Sequence, residues 1–307
     1  VAGGDGAGRV RGRAQGAAMK PAPFDYVRAT SIDHGCALLA EAGGGAQLLA
    51  GGQTLMPLLA LRMSQPFILI DIGHLPELQG IAAHAGGLRI GAATRQADAL
   101  VHPLLAQALP VFVTALAHVG HHQTRNRGTI GGSIALGEPA AEMPATAVAL
   151  GASMTLRSVR GARTMAADDL YLGPYATAIA PDEMLVAIDY PAWPADAVPL
   201  FREVARRPGD FALVGLVGAL AIAEGRIERA GIAWFGMGPT PMRARQAEQA
   251  LVGQAIDRVD VQAIADLAIA DSAPFDDGHA SAAYRCSVGR RIFASSLTQA
   301  LDRRLAA

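Results

Sequence analysis

The sequence predicts an α+β protein in two main parts, and three observations carry that reading. Short apolar runs alternate with helix-spaced segments through the first two thirds of the chain. A proline-rich break spans residues 191–199, with Pro191, Pro194 and Pro199 set among Ala, Asp and Trp193. Beyond it, long strand-like runs are followed by helices, the pattern of a compact α+β unit.

Taken in order, residues 35–44 are predicted helical, because Leu38, Leu39 and Ala42 share one face and glycines close the segment. Residues 47–50 are a short strand candidate. Residues 55–63 have helical apolar spacing, and Pro57 is tolerated there because it falls in the first turn. Residues 67–72 form a continuous apolar run between Pro66 and Gly73, the mark of a buried strand. The first third is thus expected to be a small β–α–α–β unit. Residues 88–91 then read as a strand, 96–107 and 111–119 as helices, and the glycine-rich stretch 128–137 as irregular. Residues 145–150 read as a helix, and 153–157 and 184–190 as strands. After the break, 211–223 and 229–236 resemble paired strands, with helices at 246–251, 259–269 and 282–305.

Composition narrows the function. A 51% hydrophobic, 17% charged chain with a formal net charge of -1 carries no overall electrostatic footprint for nucleic acid or an anionic membrane. Cys36 and Cys286 are the only cysteines, so the chain cannot supply a four-thiolate iron–sulfur or zinc site. His121 and His122 are adjacent and diverge on regular structure, and no metal site or catalytic residue is assigned. The longest strongly apolar run, 211–223, is too short to cross a hydrocarbon core of about 30 Å. Residues 1–18 lack the apolar stretch of a signal peptide and are expected to be a disordered extension before Met19. These features lead to the expectation of a cytoplasmic protein without a transmembrane segment.

Two glycine loops stand out. Ala50, Gly51, Gly52, Gln53, Thr54 and Leu55 lie between a strand and a helix start. Glycines there allow close approach and unusual backbone angles, amides at a helix start are free to donate, and Thr54 adds a hydroxyl. The second loop runs Thr129, Ile130, Gly131, Gly132, Ser133, Ile134 and Ala135, after the basic stretch 121–128. Neither fits the dinucleotide fingerprint Gly-x-Gly-x-x-Gly or a phosphate loop ending in Gly-Lys-Ser/Thr. Chain physics leaves two readings: a pair of unrelated turns, or one extended dinucleotide held between two subdomains.

Taken together, the first loop, the run from Arg125 to Ser133 and the run from Pro139 to Ala145 resemble the FAD-binding medium subunit of the carbon monoxide dehydrogenase and xanthine dehydrogenase family of molybdenum hydroxylases. The resemblance extends from Met19 to the C-terminus, through the stretch 182–185 and the run Phe201-Arg202-x-x-x-Arg206-Arg207-x-Gly209-Asp210. It implies an FAD-binding PCMH-type fold, of the vanillyl-alcohol-oxidase kind, over residues 19–195 with subdomains of about 19–76 and 77–195, then a C-terminal α+β domain over 200–307. By position, residues 50–55 and 129–133 would wrap the FAD pyrophosphate, with Ala135 beside them. Glu142 stands where relatives usually have Asp, toward the ribose or adenine end. Leu185 matches an apolar residue near the flavin ring, and Arg202 a position often Lys near its electron-accepting face. Glu138 also replaces a commoner Asp. The resemblance further implies two partners: a large subunit holding the molybdenum cofactor and a small subunit holding [2Fe-2S] clusters, assembled as a dimer of heterotrimers. A free-standing flavin oxidoreductase of the same fold and an FAD-less scaffold subunit are the alternatives.

Overall fold

The structure, a computed structural model, describes residues 20–305; the extension at 1–18 and the start at Met19 lie outside them. The first unit contains strand β1 (Asp25–Arg28), helix α1 (Ile32–Glu41), strand β2 (Ala46–Leu49), helix α2 (Leu55–Ala60) and strand β3 (Ile68–Asp71). Its three strands form a parallel sheet in the order β1-β3-β2. The order β–α–β–α–β corrects the expected β–α–α–β. β1 escaped notice because Asp25-Tyr26-Val27-Arg28 is an exposed edge strand with no apolar run. α1 begins earlier than expected because Ser31 caps it, its Oγ accepting from the His34 amide at 3.0 Å.

The second unit opens with the hairpin β4 (Ile81–His84) and β5 (Gly87–Gly91). Six helices follow: α3 (Gln96–Leu100), α4 (Pro103–Ala108), α5 (Pro110–His118), α6 (His122–Arg127), α7 (Ile130–Leu136) and α8 (Glu142–Leu150). Strands β6 (Ser153–Ser158), β7 (Gly161–Ala166), β8 (Tyr171–Gly173), β9 (Ala176–Thr177) and β10 (Met184–Tyr190) complete it. β4-β5-β10-β6-β7 make one antiparallel sheet. The single helix predicted over 96–107 is two, since Pro103 has no N–H to continue the first. The stretch expected to be irregular, 128–137, is helix α7. Thr129 caps its start and Gly137, at φ 68°, its end.

The break at 191–199 holds no regular structure as far as residue 197. The C-terminal domain then contains β11 (Val198–Val204), β12 (Val214–Ala223), β13 (Arg226–Phe235), β14 (Met242–Arg243), α9 (Arg245–Leu251), α10 (Val261–Ala270) and α11 (Ala282–Leu305). β11 itself, hidden in sequence by the prolines, forms the edge of an antiparallel sheet in chain order, where Pro199 is tolerated. Strand alternation divides this sheet into two buried faces. Leu216, Leu220, Ile232 and Trp234 join the core under α9, α10 and α11. Val217, Ala219, Ala233 and Phe235 join the core of the second unit, against α5 and α8. α8 is buried on every side, from Glu142 to Leu150, because it lies between that sheet and its own domain. At the rim, Asp168 accepts from both Arg243 (2.9 Å) and Arg245 (2.8 Å), tying β14 back to the second unit.

Among the described residues no helix is long and apolar enough to cross a membrane. The C-terminal core centres on Trp234, which is fully buried, donates from Nε1 to the Ala268 carbonyl at 2.8 Å and packs at 5.9 Å from the Phe293 ring. Trp234→Ala is expected to cost about 3–5 kcal/mol in chemical denaturation; a loss below about 1 kcal/mol would contradict this assignment of the core.

Candidate functional site

The first glycine segment meets the residues immediately before the second. A Cβ added to Gly51 would lie 2.4 Å from the Arg127 carbonyl oxygen and 2.9 Å from the Gly128 Cα, so only glycine permits this approach. The contact joins the loop after β2 to the turn between α6 and α7, which belong to different subdomains. Gly52 follows at φ +71°, turning the chain into α2. Among the described residues no acceptor takes the amides of Gly52, Gln53, Thr54 or Leu55, and Thr54 makes no side-chain cap. The Gln53 side chain turns back to the Gly51 carbonyl at 3.2 Å. The first segment therefore presents a row of free amide donors at the start of α2.

The second segment is built differently. Ile130 and Gly131 donate to the Thr94 and Ala92 carbonyls at 3.0 and 2.8 Å. Gly132 donates to the Thr129 hydroxyl at 3.1 Å, and Ser133 to the Thr129 carbonyl at 3.2 Å. Its amides are thus satisfied within the chain. What remains is the exposed backbone of Gly132 and the half-buried Ser133 hydroxyl, with Ala135 half-buried one turn on and Ile130 in the core. Glu138 fixes the turn after α7, taking the Ala140 amide at 3.0 Å and the Tyr175 hydroxyl. Burial foremost, with that contact, pushes the Tyr175 phenol up to about 12.

The remaining predicted site residues lie in two directions. Leu185 is buried in β10 within the core of the second unit. Glu142 opens α8 and is buried; burial foremost, with the charge of Glu203, pushes its carboxyl up to about 8, against the pull of its own backbone amide and Arg125. Arg202, by contrast, is not gathered with the others: its guanidinium bonds the Gln299 side chain on α11. The opposite face of β11 carries Phe201 and Glu203 toward α5. There the His118 ring lies 4.6 Å from the Phe201 ring, and its Nδ1 3.4 Å from Glu203 Oε2. Burial pushes Glu203 up to about 7, while burial and Arg125 pull His118 below the usual imidazole range. Sequence reasoning missed Glu203 and His118. Two-residue alternation from Phe201 was the available signal. Among the described residues no three His, Cys, Asp or Glu side chains gather to hold a metal ion.

Residues 22–193 match the family described as the FAD binding domain in molybdopterin dehydrogenase, and residues 199–300 the CO dehydrogenase flavoprotein C-terminal domain. The chain belongs to this family. It is an FAD-binding subunit of the molybdenum hydroxylase type, and the glycine cradle, free amides and capped α7 fit such a cofactor. Among its relatives, the 6-hydroxypseudooxynicotine dehydrogenase complex subunit alpha of Paenarthrobacter nicotinovorans is 38% identical over 286 residues, covering 93% of this chain and 97% of that protein. Among solved structures, carbon monoxide dehydrogenase from Hydrogenophaga pseudoflava superposes with a TM-score of 0.89 at 37% identity, over 92% of this chain and 99% of that one. Quinoline 2-oxidoreductase from Pseudomonas putida 86 gives 0.86 at 35%, over 92% and 98%.

The raised carboxyls of the FAD-binding subunit carry a stability consequence. Neutral Glu142 and Glu203 stabilise the fold below the ordinary carboxyl value of 4.5, and that contribution is lost as pH rises through about 7 for Glu203 and about 8 for Glu142. The thermal midpoint of the FAD-free chain is expected to fall over that range. It should fall less in Glu142→Gln and in Glu203→Gln; equal falls in all three proteins would contradict the burial argument.

Proposed function

We propose that this chain is the electron outlet of a larger molybdenum-containing hydroxylase. A large subunit carries the molybdenum cofactor and hydroxylates the substrate, and a small subunit carries [2Fe-2S] clusters that deliver electrons to FAD on this chain. An external acceptor then takes them. The observation that carries the reading is the close approach of Gly51 to Arg127–Gly128, immediately before the second glycine segment. The two-cysteine sequence supports the division of labour, because the iron–sulfur centres need thiolates this chain does not have.

When bound, FAD supplies the capacity to collect electrons singly and pass them on in pairs. The protein's contribution is to hold and shield it. Residues 50–55 offer the free amides of Gly52–Leu55 and the Thr54 hydroxyl to the pyrophosphate. On this reading the second segment, 129–133, closes the other side with bare glycine backbone and the Ser133 hydroxyl, with Glu142 at the start of α8 toward the ribose or adenine end and Leu185 of β10 near the flavin ring. Carbon monoxide, 6-hydroxypseudooxynicotine and quinoline, in the names of the similar proteins, are chemically unrelated. A shared flavin subunit with substrate choice made on another chain accounts for that spread.

Purification of the chain from its native host should yield flavin together with molybdenum and iron; flavin-bearing chain free of both metals and turning over a substrate alone would favour a free-standing oxidoreductase. Gly51→Ala drives a methyl into the Arg127 carbonyl and parts the two segments. The dissociation constant for FAD, read by flavin fluorescence, is expected to rise at least about tenfold, about 1.4 kcal/mol. An unchanged constant would place the cofactor elsewhere.

A further inference from the structure

A group of titratable side chains without a lysine or arginine ion pair lies where the C-terminal sheet meets the FAD-binding domain. Glu203 projects there from β11 with its side chain only 7% exposed, and its Oε2 has no hydrogen-bond partner. The elements packed around it bring a defined set of groups. α5 brings His118, with Nδ1 3.4 Å from that oxygen. α8 brings the Glu142 carboxyl, on which the Glu203 charge acts. α6 brings Arg125, whose charge acts on both His118 and Glu142 while its guanidinium donates to the carbonyls of Val119 and Gly120. β12 places uncharged Gly215 opposite Glu203, with the Phe235 ring of β13 against that glycine. Among the described residues neither carboxyl has a lysine or arginine within ion-pair distance.

Such a carboxyl is costly to ionise, and a fold that needed only packing would place a leucine or glutamine here. Position gives it a second meaning. α6 is about 9 Å long at 1.5 Å per residue. Arg125, bonded back to Gly120, lies on its last turn, which runs into Gly128 and Thr129 beside the first glycine segment. Glu142 stands at the start of the helix that follows α7. The pair therefore lies beside the helix that leads into the glycine segments, with Glu203 buried and the His118 side chain half exposed.

We propose that Glu203 and His118 form a redox-linked proton site, holding a proton between Oε2 and Nδ1 and changing its occupancy with the charge in the neighbouring cleft. The inference rests on the FAD reading above. Negative charge arriving in the cleft, as electrons from a reduced iron–sulfur partner or from dithionite, raises the proton affinity of the pair. An O–H or N–H bond forms with a proton drawn from solvent. When an external acceptor removes the electrons, that bond breaks and the proton returns to solvent. The pair itself is neither oxidised nor reduced. Its neutral-range ionisation agrees with this role, since burial lifts Glu203 to about 7 and lowers His118.

The test is the flavin midpoint potential of the FAD-loaded full chain, followed by flavin absorbance under dithionite titration, between about pH 5.5 and 9. Wild type, Glu203→Gln, Glu203→Asp and His118→Asn are compared. The gap between wild-type and Glu203→Gln potentials is expected to change with pH across the neutral range, and Glu203→Asp to restore a pH-dependent curve displaced along the pH axis. His118→Asn should displace the Glu203 transition along the pH axis, because the Nδ1 facing Oε2 is lost, and an undisplaced curve would remove His118 from the site. A gap that is absent or constant with pH, in variants that hold flavin normally, would overturn the proton site while leaving the FAD assignment standing. Wild-type chain that takes up no flavin would overturn both.

Discussion

The close backbone approach of Gly51 to Arg127 and Gly128 is the contact on which the functional architecture depends. Two parts of the chain some 75 residues apart approach this closely only because Gly51 has no Cβ to meet the Arg127 carbonyl. The two glycine segments are not equivalent. The first keeps free amides at Gly52–Leu55, whereas the second has committed its amides to Thr94, Ala92 and Thr129. The first segment is thus a row of free donors and the second a hydrogen-bonded helix start. Rigidity on one side lowers the ordering cost of binding, and donors on the other give it direction.

A second constraint positions the cleft. The C-terminal sheet buries both faces, one under its own helices and one against α5 and α8, so the two domains share a hydrophobic core across the junction. Sharing it fixes the parity of every residue on β11. Phe201 and Glu203 must face the FAD-binding domain and Arg202 must face α11, whatever their chemistry. Burying Glu203 against an interdomain core without a cationic partner works against stability, which is why its retention carries information.

Much of the fold was legible because its longest elements are also its most apolar. The paired strands β12 and β13, the terminal helix α11 and the buried strand β10 follow from continuous runs or clear periodicity. What stayed hidden has identifiable causes. β1 is a polar edge strand, β11 begins among prolines, and α7 carries two glycines that mimic a loop. In α7 the Thr129 cap and the contacts of Gly131 with Ala92 outweigh the low helix propensity of glycine. The glycine segments themselves could be picked out in sequence, but the approach of Gly51 to Arg127 and Gly128 is a tertiary fact. The pattern of residues 201–210 drew attention to its arginines, and only strand geometry shows Glu203 to be the buried member.

A density map of the chain with FAD bound addresses the central claim most directly. The account predicts the pyrophosphate between residues 50–55 and 129–133, within hydrogen-bond reach of the Gly52–Leu55 amides. Pyrophosphate density anywhere outside that cleft, with Gly51 still packed on Gly128, would contradict it.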